Sequence, residues 1–385
     1  MKKSKVVILT IIGGSALLIL LAAILVYPKA KQQWSKPLGP GLELPTYTPT
    51  TAQSIAASIP TGVQIPATQL PVRTQDNNQK DTPVPELIAS STPTTQCGGP
   101  PVMTILALGI DGSEDYRYGL SDVIRIVRVD FVTPKVTVLS VPRDLWVEIP
   151  DIASHYGIDQ GKLNQAYFYG TPGMGYYEGP GAGAGLLART LDLNFGLRAD
   201  HYGAVNMQTF VKIVDAVGGI DIYLPTDFDG TPVDDKTEDM GYFTAGQHHF
   251  TGDEALRFSR IRKRYSELIR QDNQNLVICS LKEKITSPAV LPKIPQIISA
   301  FQGSVLTDLS PEQLAQLACL VPKLKRENLL LTGFPKDILK QGSVYSPQQK
   351  AETFVWQADP DVLKDYFSRF MAGTWPTESG ESTCP

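Results

Sequence analysis

The sequence is poor in the residues that soft-metal and nucleophilic chemistry need. Its 385 residues include four histidines and four cysteines. No two cysteines have CxxC spacing, which argues against a zinc site or a thioredoxin-like pair. His248-His249 has no carboxylate or cysteine at ligand spacing, which argues against a zinc pair. There is no GxSxG elbow, and no Ser, His and Asp constellation stands out. The glycine-dense stretch from Gly170 to Gly185 precedes a helix but carries neither a P-loop nor a dinucleotide fingerprint, so it reads as a loop. A formal net charge of -4 gives no overall reason to bind nucleic acid. No internal repeat is visible.

Charge is also missing from Val6 to Tyr27, just after Met1-Lys2-Lys3-Ser4-Lys5. At about 1.5 Å per residue this run can cross a hydrocarbon core of about 30 Å. A cleaved signal peptide, with Ala22-Ala23 as its small-residue site, is the competing reading. The apolar run continues through Ile24, Leu25 and Val26, which favours an uncleaved single-pass anchor. The lysines on both sides give little positive-inside bias. The short leading tail suits an anchor whose long C-terminal domain is translocated. Residues 1–28 are therefore expected to be a cytoplasmic tail and membrane anchor.

Residues 29–96 are rich in Pro, Thr, Ser and Gln, as in Pro45-Thr46-Tyr47-Thr48-Pro49, with no sustained apolar period. They read as a disordered stalk. Residues 97–385 then form one extracytoplasmic domain. Four cysteines outside the membrane permit two disulfides. The expected pairs are Cys97 with Cys384, near the domain ends, and Cys279 with Cys319, both in helix-like segments. Other pairings, and free thiols, stay open.

From Val102 the texture is α/β. Strands are expected over Val102–Leu108, Val123–Phe131, Val136–Val141, His201–Val205, Ile220–Leu224 and Asn328–Thr332. Helices are expected over Ala184–Leu193, Gln208–Val217, Ser266–Glu283, Pro311–Lys323 and Pro360–Phe370. Such alternation predicts one sheet with helices on both faces.

Polar residues concentrate at the ends of these apolar elements. Asp111 follows the first strand, where α/β sheets present their sites. Asp122 opens the second. Each alone reads as a turn or capping acid. Together they could supply the one or two carboxylates that Mg²⁺ takes beside phosphate oxygens. Arg143 and Asp144 end the third strand; Arg143 could fork onto a phosphate, or the pair could be a structural turn. Arg260, Arg262 and Arg264 share a face if that segment is extended, and Arg270 opens a helix. Phe258 and Ile261 interrupt the basic run and suggest partial burial. Buried guanidinium groups need anions, and Asp253, Glu254 and Glu267 are too few. Two carboxylates with several arginines suit phosphoryl transfer, which needs charge neutralisation and alignment.

The ordered set Gly109-Ile110-Asp111, Ser121-Asp122, Val141-Pro142-Arg143-Asp144, Lys162-Leu163-Asn164-Gln165, Val214 to Ile220 and Arg260-Ile261-Arg262 resembles the LytR-CpsA-Psr family. The resemblance covers roughly Thr104 to Lys282. It implies a three-layer α-β-α sandwich with a mixed central sheet and a hydrophobic lipid tunnel. It also implies a membrane-anchored phosphotransferase, with Mg²⁺ or Mn²⁺, that moves a polyprenyl-pyrophosphate-linked glycopolymer onto peptidoglycan. By the same resemblance Asp111 and Asp122 are the metal-linked aspartates. Arg143, Arg260, Arg262 and Arg270 grip the pyrophosphate, and Asp144, Lys162, Asn164 and Gln274 support the site. The helices bearing Leu186 and Phe210 are candidate tunnel walls.

Three places depart from the family pattern, one being Gly112-Ser113, where an arginine often follows the first aspartate. Leu120 stands where an arginine usually precedes Ser-Asp, with Arg117 close by, and Asn273 replaces the arginine of a late Arg-Gln pair. A polyprenyl pyrophosphate hydrolase and a non-catalytic carrier-binding or regulatory protein are the alternative readings.

Overall fold

The computed structural model describes residues 34–45 and 94–376, apart from 236, 263, 266, 295, 298–300 and 302. Strands β1 (Val102–Gly112), β2 (Gly119–Asp130) and β3 (Lys135–Val141) form an antiparallel meander. The Asp130 carboxylate closes the β2–β3 turn by accepting from the amides of Val132 and Thr133, both at 2.9 Å. Strands β4 (Trp146–Glu148) and β5 (Gln160–Lys162) make a small ribbon after β3. Strand β6 (His201–Asn206) joins β1 in parallel, and β12 (Leu329–Gly333) joins β3 in parallel. With β11 (Leu306–Thr307) at the outer side of β6, the sheet order is β11-β6-β1-β2-β3-β12. The sheet is therefore mixed, as expected.

Strand periodicity decides the layers. Leu106, Leu108 and Ile110 of β1, with Ile124 and Ile126 of β2, face the main core beneath α1 (Leu163–Tyr169), α2 (Ala182–Phe195) and α7 (Pro360–Ala372). Met103, Ile105 and Val129 point to the opposite side, against Leu317 and Leu320 of α6 (Pro311–Leu320). On that same side Val127 and Val138 meet Ile278 and Cys279 of α5 (Glu267–Ile285). These are the two helical layers of a three-layer sandwich.

A second apolar cluster lies beside the sandwich. It joins α3 (Met207–Ala216), α4 (Gly252–Arg260) and α5 through Val214, Phe258 and Val277. Strand β7 (Ile220–Leu224) belongs here. The alternation placed it in one common sheet, but it pairs antiparallel with β10 (Gly246–Phe250). Periodicity reports that a strand has a buried face, not which sheet receives it. The short ribbon of β8 (Phe228–Asp229) and β9 (Tyr242–Phe243) flanks this cluster. Strands β13 (Lys340–Ser346) and β14 (Ala351–Gln357) form a separate hairpin.

Residues 34–44, which composition assigned to the stalk, pack on the folded domain. Leu42 is buried in the main core, and the Leu38 amide donates to the Leu309 carbonyl at 3.3 Å. The rest of the expected stalk up to residue 93, and the expected anchor at 1–28, lie outside the described residues. Among the described residues no helix is long and apolar enough to cross a membrane.

The cysteine pairing needs correction. Cys97 is bonded to Cys319, with Cα atoms 5.8 Å apart. Cys97 precedes β1 on the sheet face that α6 covers, and Cys319 lies in α6, so the layer packing brings them together. Cys279 is on α5, in a different cluster, and cannot be the partner of Cys319; it is itself disulfide-bonded. Cys384 lies outside the described residues.

Candidate active site

The polar residues gather where β1 ends and β2 begins, beside the loop after β3. Strand pairing runs to Gly109 opposite Val123 and resumes at Ile110 opposite Ser121, leaving Asp122 as an extra residue in β2. A bulge of this kind re-aims a side chain. The Asp122 Oδ1 accepts from Arg143 Nη1 at 2.6 Å and from Asn164 Nδ2 at 3.4 Å. Arg143 Nε reaches Asp144 Oδ2 at 3.3 Å, and Lys162 Nζ donates to Asp144 Oδ1 at 2.9 Å. Charges thus alternate along Asp122, Arg143, Asp144 and Lys162, all partly or largely buried. Hydrogen bonds between ionised groups are the strong ones.

Local backbone structure fixes this chain. The amides of Leu163 and Asn164, at the start of α1, donate to the carbonyls of Leu145 (2.8 Å) and Arg143 (3.1 Å). Two orphan donors of the helix are thereby satisfied by the loop that carries Arg143. Lys162 occupies the N-cap of α1. A cation there opposes the helix dipole; its ion pair with Asp144 offsets that cost.

The second half of the site comes from the junction of α4 and α5. The extended segment expected over Arg260 to Arg264 is not formed. Arg260 ends α4, the Tyr265 amide donates to the Arg262 carbonyl in a turn, and Arg270 lies in the first turns of α5. The expected partial burial is present, since Phe258 and Ile261 are buried. Despite the turn, Arg260, Arg262, Arg264 and Arg270 line one cleft of about 190 Å³ together with Asp111 and Asp122. Arg270 Nη2 also donates to the Asp122 carbonyl at 3.2 Å.

The acids that meet these arginines were missed in sequence. Asp253 pairs with Arg257 at 2.8 Å, and Glu254 caps its own helix on Thr251. The carboxylates near the cleft come instead from the end of β8 and from the loop that joins it to β9. Glu238 pairs with Arg260 at 2.9 Å and Asp229 with Arg264 at 3.0 Å. The Thr231 hydroxyl and amide, and behind them Arg264, hold Asp229 below the usual carboxylate range. Only the acidic character of that loop could have hinted at this. Arg262 is exposed and makes no ion pair with any described residue. Asp111 is exposed, and its carboxylate has no hydrogen bond or ion pair among the described residues.

Gln274, on α5, is buried and donates to the Ser259 carbonyl at 3.5 Å, bracing α5 against α4. Its Oε1 meets Arg125, a buried arginine of β2 that the sequence reading passed over. A charged residue inside Val123-Ile124-Arg125-Ile126-Val127 was the available signal. Arg117 does not line the cleft, so it does not stand in for Leu120 there. Asn273 is fully buried, and its Nδ2 has no partner among the described residues. Leu186 and Phe210, the candidate tunnel walls, belong to different apolar clusters. Among the described residues, no three His, Cys, Asp or Glu side chains group to hold a metal ion.

Known proteins resemble this chain in sequence and in fold. It is 29% identical over 242 residues to the polyisoprenyl-teichoic acid–peptidoglycan teichoic acid transferase TagU of Enterococcus faecalis, covering 61% of this chain and 72% of that one. It is 33% identical over 218 residues to the TagU of Oceanobacillus iheyensis, covering 56% and 61%. The fold is shared with the protein gbs0355 of Streptococcus agalactiae, at a TM-score of 0.56 and 23% identity over 71% of this chain and 88% of that one. TagV of B. subtilis superposes with a TM-score of 0.54 at 22% identity, over 71% and 97%. The LytR_cpsA_psr family description matches residues 67–359, most of the sequence, and the chain belongs to that family.

Proposed function

We propose that this chain is a phosphotransferase that moves a glycopolymer from a polyprenyl pyrophosphate carrier onto peptidoglycan. The observation that carries the reading is the convergence of Arg260, Arg262, Arg264 and Arg270 with Asp111 and Asp122 around one small cleft, with Arg143 paired to Asp122 behind it. Four arginines lining one cleft, with Arg262 held by no described acid, suit a diphosphate, and TagU relatives at 29 and 33% identity are named as transferases of this kind.

Arg262, exposed in the cleft, is placed to receive phosphate oxygens directly. Arg260 and Arg264 would exchange Glu238 and Asp229 for the substrate's oxygens. Arg143 is oriented by Asp122 and Asp144, so it costs little reorganisation when the anion arrives. An acceptor hydroxyl then attacks the sugar-linked phosphorus. The new oxygen–phosphorus bond forms as the bond to polyprenyl phosphate breaks. The hydroxyl proton passes to Asp111, whose carboxylate is unengaged; both oxygens of Asp144 are already held by Arg143 and Lys162.

Mg²⁺ or Mn²⁺ fits as cofactor by the chemistry of the donors. Asp111 and Asp122 line the same cleft, and each keeps a carboxylate oxygen outside the described contacts. Two carboxylates suffice when phosphate oxygens and waters complete an octahedral shell. Such an ion would supply further neutralisation of phosphate charge. The same reading keeps the anchor at residues 1–28, an extracytoplasmic domain, and an apolar channel for the lipid.

The test incubates the protein with a labelled polyprenyl pyrophosphate sugar, Mg²⁺ and peptidoglycan fragments. Label joined to the glycan through phosphate supports transfer. Free sugar phosphate in the absence of acceptor favours the hydrolase. Retained lipid without turnover, unchanged by Asp122→Ala, excludes both enzymes and leaves the carrier-binding protein.

A further inference from the structure

Arg125 lies in the middle of β2, opposite Ser140 of β3, on the sheet face beneath α5. It is 4% exposed. Its Nη1 donates to Asn275 Oδ1 at 2.7 Å and to Ser140 Oγ at 2.9 Å, and its Nη2 donates to Gln274 Oε1 at 3.4 Å. Its Nε has no partner among the described residues. Every partner is neutral, and no described carboxylate pairs with it.

That arrangement is poor for folding alone. A buried charge without a counter-ion is costly, and apolar replacement of such groups is often neutral or stabilising. Val127, the next residue on the same face of the strand, shows what the strand would otherwise hold. Burial and then the charge of Arg270 push the guanidinium down to about 10, so it remains charged at neutral pH.

The position of the charge suggests its use. Arg125 shares a small void of about 10 Å³, room for one water, with Asp122, Arg143 and Arg270. Asp122 and Arg270 are also walls of the cleft. One layer of side chains therefore separates Arg125 from the place where a diphosphate would sit.

We propose that Arg125 is a positioning residue for the phosphate site. Its hydrogen bonds fix α5 so that Arg270 faces the cleft. Its uncompensated charge, held behind Asp122 and Arg270, is offset when a diphosphate binds. This rests on the reading of the cleft given above. The substrate's anion completes a charge balance that the folded protein leaves open.

The test compares the full chain with Arg125→Met and Arg125→Lys, in detergent, binding geranylgeranyl diphosphate and geranylgeraniol. The expected Met variant melts no lower than the parent, yet binds the diphosphate roughly tenfold more weakly. Its diphosphate affinity should also depend less steeply on salt. Geranylgeraniol affinity should be unchanged, and Lys should restore most of the diphosphate affinity. Equal diphosphate affinity in the parent and Met proteins overturns the proposal. So does a loss shared by the alcohol and not recovered by Lys, which marks a structural role. A parent that does not bind the diphosphate overturns the reading of the cleft itself, and this proposal with it.

Discussion

The Asp122 carboxylate and the Arg143 guanidinium meet at 2.6 Å, one from a bulge in β2 and the other from the loop after β3. The bulge adds the extra residue that Asp122 occupies, and the amides of α1 hold the loop. Neither side chain is placed by its own strand alone. They act as a unit, so their substitutions should not add. Asp122→Ala and Arg143→Ala are each expected to lower the transfer rate about 100-fold. The double variant should be little worse than the worse single one. A steady-state double-mutant cycle checks this; strict additivity would count against the coupling.

The metal expectation has its own test. Chelation with EDTA should abolish transfer, and added Mg²⁺ or Mn²⁺ should restore it. Asp111→Asn removes a carboxylate charge from the cleft without changing its shape. It should raise the Mg²⁺ concentration needed for half-maximal rate by about tenfold or more. Direct Mn²⁺ binding, followed by electron paramagnetic resonance, separates lost metal affinity from lost proton transfer.

Much of the fold was legible because its signals are local. The alternation in β1 to β3 and the apolar spacing of α2 and α7 appear directly in the residues, and they set the three layers. Asp111, Asp122 and Arg143 stand at strand ends, where the architecture presents polar groups. What was not legible depends on chain segments far apart in sequence. Cys319 meets Cys97 because α6 packs over the start of β1. Glu238 and Asp229 reach Arg260 and Arg264 because a loop folds back over the α4–α5 junction. The end of α4 at Arg260 defeated an extended reading, because a short basic run carries no period strong enough to exclude a helix end. Arg125 was hidden by its apolar neighbours.

The Cys97–Cys319 bond closes a long loop, with a sequence separation of 222. Chain-entropy reasoning gives such a cross-link on the order of 3–5 kcal/mol. Cys319→Ser should therefore lower the melting temperature clearly in non-reducing buffer. Mass spectrometry of unreduced tryptic peptides should recover the Cys97 and Cys319 peptides joined. Recovery of Cys279 joined to Cys319 instead would contradict the observed pairing.

The segment from Trp34 to Leu44 contributes to the folded domain although composition marks it as stalk. Leu42 is 3% exposed. Ser35 Oγ donates to Glu312 Oε2 at 2.8 Å, so the segment touches α6 as well as the main core. Leu42→Ala should cost about 2–3 kcal/mol. A chain shortened to begin at Thr94 should be destabilised at least as much as the Leu42→Ala protein. One that begins at Trp34 should match the parent domain in a urea titration.

Asp192, on α2, shows how one buried acid shapes the pH dependence of stability. Its side chain is 4% exposed and pairs with Arg198 at 2.9 Å. Burial outweighs the help of Arg198 and Arg189, so its pKa is raised above the ordinary 3.8. The folded state then holds a proton that the unfolded state has released, in the window between 3.8 and the raised value. Stability from this group is greatest below that window and falls as pH rises through it. At neutral pH the charged carboxylate is a net cost. Asp229 and Glu254, whose pKa values are lowered, have the opposite slope, so the parent curve alone mixes both. The difference between parent and Asp192→Asn isolates the effect. The Asn variant should be at least as stable as the parent at pH 7. Its advantage should shrink as pH falls through the window, as read from melting temperatures at pH 7, 5 and 4. An advantage that grows on acidification would mean that Arg198 stabilises the charged form more than burial destabilises it.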